Sequence, residues 1–527
     1  MGSERWRMRL SEGVEPGNAA GEDGEITEQS RPEAAPVDRA LRRSLWLTFA
    51  SAFVPGLGHL LSGKKRIGIA LLACYAALLI TAVVAVLTVS TRRWLELGFD
   101  KQALDLVAYG AAFLAVAWPL IVLSTFLVSK PDRMSRVQRV VSGVVVLVLC
   151  LAVAMPFARA SQMAYVARHD VLGIFEGNKV KGDTNVSAKD PFEHKPRLNL
   201  LILGGDAAGD RVGVRTDSIM VASVDTRTGR TVLISLPRNL NRAPFPAGTP
   251  MRSAYPSGFH CQPTIDCYLN AVYEYGEEHP EMVGQQTKHP GADLLTQTVG
   301  EMLGMKIDYY ILAEIFGFKN IVDALGGVTL RVKERIPVGG RTDTYGRITE
   351  YPVRYIEPGL RHLHGEDALW YGRARFGSDD YQRMIRQRCL LGAIARQADP
   401  VRVLFSFNRL AKAAKKLVAT DLPRSLMPAL LELASSAKSA KITGVSIDRS
   451  VFGGNNDDPD YGGIRREARR ILRAETAAAA KPSSNPSASS SRPSTQSSSW
   501  PKAGSSSSHA TASTATDLFA SGQCSYS

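Results

Sequence analysis

The sequence predicts an α/β layered domain, with helices on both faces of a mixed sheet, preceded by transmembrane helices. Three observations predict it. Residues 44–158 hold long apolar runs, residues 198–475 alternate short aliphatic runs with helical periodicity, and the stretches 1–43 and 476–527 have few large apolar residues. A short aliphatic run bounded by turn residues marks a strand, and apolar positions three and four apart mark a helix.

Residues 1–43 mix acidic and basic side chains without the apolar core and cleavage site of a secretory signal, and read as a disordered cytoplasmic tail. The run at 45–62 is interrupted by Pro55, Gly56 and Gly58 and carries His59, so it reads as re-entrant or interfacial. Residues 67–90, 104–128 and 140–158 each approach the roughly 20 apolar residues that a bilayer requires, and are the three expected spans. Basic residues fix their direction. Arg39, Arg42, Arg43, Lys64, Lys65 and Arg66 precede the first span, and Lys130, Arg133, Arg136 and Arg139 separate the second from the third. Cytoplasmic loops hold such excesses, so the N-terminus is expected inside and everything after residue 159 outside, beginning with a linker at 159–197.

In the exported part, LNLLILGG from residue 198, DSIMVASVD and TVLISLPRN read as strands, the last two joined by a turn at Thr226–Gly229. A helix near 293–304, a strand at 308–315, a helix ending at Gly326-Gly327 and the strand VTLRV follow. Helices at 365–371, 380–398, 400–418 and 424–437 complete the domain. Beyond 476 the Ser, Ala and Pro content offers too little apolar surface to offset chain entropy, and the tail reads as disordered.

The strongest chemical signal is the set Arg373, Arg375, Asp380, Arg383, Arg386 and Gln387. Spacings of two on an extended segment and of three or four on a helix bring such groups to one face, where guanidiniums match phosphate oxygens bidentately. The competing reading is a solvated basic helix face. Asp206 and Asp217 stand at strand ends, where they either hold Mg²⁺ together with phosphate oxygens or serve as turn residues. Arg238 and Arg242 add guanidiniums four apart beyond the third strand. The formal charge of +14 is spread over membrane flanks and this cluster, which argues for anionic lipid and polymer as partners and against nucleic acid. Cys261 and Cys267 close a short loop in the exported region and read as a disulfide, with a metal pair as the other option. Cys74 and Cys150 fall in spans, Cys389 on the apolar side of a helix and Cys524 in the loose tail.

Taken together these segments resemble the LytR-CpsA-Psr family. The stretch from LNLLILGGDAAGDRVGVRTDSIM to LISLPRNL is similar to its opening block, with Asp206, Arg215-Thr216-Asp217 and Pro237-Arg238 in register. LNAVYEYG and IDYYILAEIFGFKNIVDALGGVTLRV resemble its middle, and LHGEDALWYGRARFGSDDYQRMIRQRCLLGAI its closing block. The resemblance covers most of 198–475 and implies a catalytic domain of that family's fold, the three-span N-terminus being an elaboration of its commoner single anchor.

It further implies a multi-pass transferase of the bacterial cell membrane. Such a protein attaches a glycopolymer from a polyprenyl-pyrophosphate carrier to peptidoglycan through a phosphodiester. Asp206 and Asp217 would hold Mg²⁺, or another divalent cation such as Mn²⁺. Arg238, Arg242, Arg373, Arg375, Arg383 and Gln387 would bind the pyrophosphate, with Asp206, Asp217, Arg238, Arg375 and Arg383 catalytic. Arg215, Asp380 and Arg386 would support them. Two departures stand out: Asn239 where the family usually has Asp after Pro-Arg, and Ala208 where Arg is common. A carrier-lipid-binding envelope regulator and a pyrophosphatase acting on the carrier are the rival functions. Phe316, Phe318, Ile321 and Leu325 follow helical spacing and either line an isoprenoid slot or pack in the core.

Overall fold

The computed structural model describes residues 36–173, 192, 194–206, 215–342, 347–376, 379–397, 418–480, 516–519 and 524. These fall into two compact units, one of residues up to 77 with 118–153, the other of 78–117 with 154 onward.

In the first unit, helix α1 (Pro36–Phe53) begins inside the stretch expected to be disordered. Asp38 in its first turn accepts a hydrogen bond from Gln138 Nε2 at 2.8 Å, which ties that turn down. Pro55 and Gly56 then break the chain, Gly56 taking φ +96°, before the short helix α2 (Leu57–Leu61). His59 is buried and hydrogen-bonds Ser124 at 3.0 Å and Thr125 at 3.1 Å, while Ser51 bonds Thr125 at 3.0 Å. The interrupted run at 45–62 is thus a broken helix stitched by polar groups. Helices α3 (Lys65–Thr88), α5 (Lys101–Ser129) and α6 (Arg136–Val166) each contribute residues to both units, and α4 (Thr91–Phe99) belongs to the second. Three helices, Lys65–Thr88, Lys101–Ser129 and Arg136–Asp170, are long and apolar enough to cross a membrane.

The second unit carries the layered domain. Strands β1 (Arg197–Asp206), β2 (Arg215–Asp225) and β3 (Thr231–Leu236) pair in sequence as an antiparallel meander. Helices α7 (Pro250–Ala254), α8 (Val272–Glu278) and α9 (Pro290–Leu303) lead to β4 (Tyr309–Glu314), which pairs parallel to β1. After α10 (Ile315–Ala324) come β5 (Val328–Val332), the hairpin β6 (Ile336–Thr342) and β7 (Ile348–Ile356), and β8 (Gly359–Leu363), which pairs with β5. Helices α11 (Gly365–Arg373) and α12 (Asp380–Gln397), strand β9 (Val418–Thr420), α13 (Met427–Ser439), β10 (Ile442–Ser446), α14 (Arg449–Phe452), α15 (Tyr461–Ala480) and β11 (Thr516–Asp517) complete the described chain. The helix expected at 400–418 lies outside the described residues apart from Val418, which opens β9.

The main sheet has seven strands in the order β11-β10-β3-β2-β1-β4-β9. Alternating residues of β1 feed two cores. Leu201 and Leu203 pack with α9 and α15, and Leu200 and Ile202 with α12 and α13. Burial on both faces is why Leu200–Leu203 are apolar without interruption. A third core lies under β5, β6, α11 and α12, and Phe318 packs against it, which favours core packing over slot lining for that residue. The side chain of Phe316 lies outside the described residues.

Cys261 and Cys267 are disulfide-bonded as expected, with Cα atoms 5.7 Å apart. A second bridge joins Cys389 of α12 to Cys524, with Cα atoms 5.3 Å apart. This corrects the reading of 476–527 as wholly disordered. Helix α15 runs to Ala480, β11 adds to β10, and Leu518 is fully buried. Leu518, Phe519 and Cys524 are the apolar anchors in an otherwise polar tail, and packing plus a covalent tie supply the order that local propensity lacks.

Candidate functional site

The site forms where β1 and β2 lose register. Gly204 pairs with Ser218 and Gly205 with Thr216, so Asp217 is an extra residue bulged out of β2. A bulge re-aims the side chain that it carries. Glycine suits the facing position, since a Cβ on Gly204 would lie 3.0 Å from that of Ser218. The Asp217 carboxylate accepts hydrogen bonds from Arg238, in the loop after β3, and from Arg375 Nη2 at 3.2 Å, just past α11.

Arg375 lies 4.0 Å from Asp380, which in turn pairs with Arg383 of α12 at 2.9 Å. The result is an alternating chain Arg238–Asp217–Arg375–Asp380–Arg383 drawn from four parts of the fold. It carries three guanidiniums against two carboxylates. The Arg383 side chain is 3 % exposed, and its Nε is buried without a hydrogen-bond partner among the described residues. A buried, incompletely satisfied guanidinium in a centre with excess positive charge has the chemistry to accept an anion.

Electrostatics follow from this packing. Burial works to raise the pKa of Asp217, but Arg238, Arg375 and Arg383 together outweigh it and hold the carboxyl below its ordinary 3.8. Burial lowers Arg383 to about 10, helped by Arg375 and countered in part by Asp380. Burial and then Arg238 lower Arg375. Both remain cationic at neutral pH. A depressed carboxyl contributes stability that is fully present above the unfolded value and lost as pH falls through the folded one. A carbon-13 titration of the Asp217 carboxyl is therefore expected to show a midpoint below 3.8; a midpoint at or above that value contradicts the ion-pair chain.

The other sequence candidates have separate placements. Gln387 bridges elements, accepting from Ser218 Oγ at 3.1 Å and donating to Gly372 O at 3.1 Å. Ser218 was not among the sequence candidates, although it adjoins Asp217. Arg386 turns into the core, donating to the carbonyls of Tyr371 (2.9 Å) and Ala374, with Glu334 3.6 Å away, so it fixes the path of the chain that carries Arg375. Arg373 lies 5.2 Å from the Trp370 ring centre, and its charge adds to the field at Arg375. Arg215 pairs with Glu274 at 3.3 Å and Asp266 at 3.7 Å. Arg242, with φ 52°, is exposed 3.8 Å from Asp458, and no described contact joins it to the chain of charges. The backbone of Asp206 ends β1 opposite Arg215, and its side chain lies outside the described residues.

No group of three or more His, Cys, Asp or Glu suited to a metal occurs among the described residues. Among the described residues, Asp217 and Asp380 supply the carboxylate oxygens of the centre. That donor set fits Mg²⁺, which commonly takes one or two carboxylates and completes its shell with water and phosphate oxygens, and it does not fit an all-protein cage.

The profile of the LytR_cpsA_psr family matches residues 173–460. Among curated relatives, biofilm regulatory protein A of Streptococcus mutans is 25% identical over 266 residues, covering 48% of this chain and 58% of that protein. The polyisoprenyl-teichoic acid–peptidoglycan teichoic acid transferase TagU of Bacillus mycoides is 26% identical over 232 residues, covering 44% of this chain and 62% of its own length. These matches thus span less than two thirds of either relative. Among solved structures, B. subtilis TagV aligns with a TM-score of 0.36 at 23% identity, over 53% of this chain and 97% of that one. The LytR-CPS2A-psr protein YwtF (TagT) with bound octaprenyl pyrophosphate lipid aligns at 0.33 and 20% identity, over 56% and 97%. The profile match takes in more than half of the 527 residues, including every strand from β1 to β10 and the whole chain of charges, and the protein belongs to the LytR_cpsA_psr family.

Proposed function

We propose that this protein is a membrane-anchored phosphotransferase that moves a glycopolymer from a polyprenyl-pyrophosphate carrier to peptidoglycan, leaving a phosphodiester. The observation that carries the reading is the surplus cation of the Arg238–Asp217–Arg375–Asp380–Arg383 chain, with the Arg383 Nε buried and unpartnered. Membership of the family and the transferase name borne by one relative support it.

Phosphoryl transfer requires positioning and neutralisation of charge more than covalent help from the protein. An acceptor hydroxyl oxygen attacks the phosphorus bearing the glycopolymer, a new P–O bond forms, and the P–O–P bridge breaks. The bridging oxygen keeps the electron pair and leaves as polyprenyl phosphate, while the acceptor proton passes to a base or to water. Arg375 and Arg383 stabilise the charge that grows on the leaving phosphate, and Arg238 orients the diphosphate. Asp217, held ionised below the ordinary carboxyl range, is a poor proton acceptor and serves to aim Arg238 and Arg375. A Mg²⁺ ion, when bound to Asp217 and Asp206, would neutralise diphosphate oxygens.

The N-terminus is placed in the cytoplasm and the layered domain outside. Support comes from the basic flanks of the spans and from two disulfides in that domain, since such bridges persist in oxidising compartments. The test is the full-length protein in liposomes with lipid-linked polymer, Mg²⁺ and peptidoglycan. Equal amounts of polyprenyl phosphate and peptidoglycan-bound polymer are expected. Release of free phosphorylated polymer despite abundant acceptor would identify a pyrophosphatase. Tight donor binding with no product would identify a carrier-lipid binder, and either outcome overturns the proposal.

A further inference from the structure

Strand β7 is bared along nearly its whole length. Of its 9 residues only Ile356 is buried, and Tyr351 is 75 % and Val353 83 % exposed. The β6–β7 register slips between Val338 and Gly339 and again between Arg341 and Thr342, so Val353 and Thr349 have no opposite number on β6. An exposed aromatic and aliphatic strand is unusual on a domain with this much core, and it marks a surface that something covers.

Its position is informative. Gly340 of β6 packs so closely on Phe376 that a Cβ there would lie 3.3 Å from the Phe376 ring, and Phe376 directly follows Arg375. Arg354 of β7 pairs with Asp367 of α11, the helix that leads to Arg375. The hairpin β6–β7 therefore packs against α11 and the segment after it, which carries Arg375. It is also set in basic surroundings: residues 328–363 carry seven Lys or Arg against four Asp or Glu. The Arg335 guanidinium stacks 4.0 Å over the Tyr355 ring.

We propose that β7 is a membrane foot. Tyr351 and Val353 seat in the headgroup zone of an anionic bilayer, with Arg361, and Arg335 beyond its 2.9 Å pair with Glu357, toward lipid phosphates. The seat holds the Arg375 centre at the height of a lipid-borne diphosphate, and in this respect rests on the function proposed above. A bilayer is the favoured occupant on two grounds. The same chain has three helices long and apolar enough to cross one, and tyrosine beside aliphatic and arginine side chains is the residue set of a membrane–water interface. A substrate whose isoprenoid stays in the membrane then reaches the site without being lifted out.

The test uses the full chain with Cys74 and Cys150 changed to alanine and all disulfides kept, reconstituted in phosphatidylglycerol-containing vesicles. A Val353→Cys variant carries an environment-sensitive fluorophore, and Glu278→Cys, on an exposed position of α8, is the control. The label at 353 is expected to show blue-shifted emission quenched by headgroup-linked nitroxide lipid, and the label at 278 to be quenched by aqueous iodide. Replacing phosphatidylglycerol with neutral lipid is expected to weaken the difference. Iodide quenching at 353 equal to that at 278 overturns the proposal. So does protection at 353 that appears only when peptidoglycan is added, which would make this a wall-binding face. This readout needs no turnover, so it stands apart from the transferase assay. In that assay, changing both Tyr351 and Val353 to glutamate is expected to raise about tenfold the long-chain donor concentration for half-maximal transfer, with a water-soluble short-chain donor unaffected.

Discussion

Replacing Arg375 with alanine is expected to slow transfer by roughly 10²–10³-fold, the usual cost of removing one preorganised donor from the place where charge develops. The reasoning turns on where Arg375 sits. It touches Asp217 at 3.2 Å and stands 4.0 Å from Asp380, so it is the middle link between the two acids. Its side chain is 39% exposed, and ion pairs at such exposure contribute little to stability. Activity should therefore fall while the melting temperature barely moves. Arg375→Lys is expected to recover only part of the rate, because an ammonium keeps the charge but loses the planar fork that meets two phosphate oxygens at once. Initial rates and thermal melts on the same preparations check this. A rate within threefold of the parent, or a collapse of stability, would remove Arg375 from the role assigned to it.

The second large effect concerns stability. Breaking the Cys389–Cys524 bridge by a double serine substitution should cost far more than breaking Cys261–Cys267. The sequence separations are 135 and 6 residues. On a chain-entropy account these correspond to about 5 and about 2 kcal/mol of restriction on the unfolded chain. For a domain of this size that is about 10–20 °C and about 4–8 °C in melting temperature. Calorimetry of the two double mutants tests the order. Equal shifts, or a larger shift for the short loop, would show that the tail is not integral to the domain. Activity should follow stability for the long bridge, since Cys389 lies two residues beyond Gln387 on α12, the helix that carries Arg383.

Much of this architecture could be read from residues alone, for definable reasons. Strands β1, β2 and β3 declare themselves because burial on both faces makes them mostly aliphatic, with Ser223 and Ser235 as buried exceptions, and the turn between the last two carries its own Asp225, Thr228 and Gly229 chemistry. Asp380 and Arg383 share a helix face by spacing, and the fold brings Arg375, from the segment before that helix, beside them. Arg386 obeys the same spacing, yet its guanidinium turns inward to the carbonyls of Tyr371, in the last turn of α11, and of Ala374 at its C-cap, where carbonyls without an intrahelical partner need a donor. The hairpin β6–β7 was missed because its outer strand, ITEYPVRYI, has no buried face to impose alternation. Strand β11 was missed because two residues have no period at all: it exists through pairing with β10, the Leu518 anchor and the Cys524 bridge. The partnership of Asp217 with Arg238 depends on a bulge, which is a register property that no spacing rule encodes.

The rims of the main sheet carry a consequence of their own. Its border strands among the described residues are β11, of 2 residues, and β9, of 3. Backbone donors and acceptors left open on a long outer strand would invite a neighbouring copy to pair and seed aggregation. With such stubs at either side there is little ladder to copy, so a protein held at high density in the plane of a membrane can crowd against its own kind without polymerising.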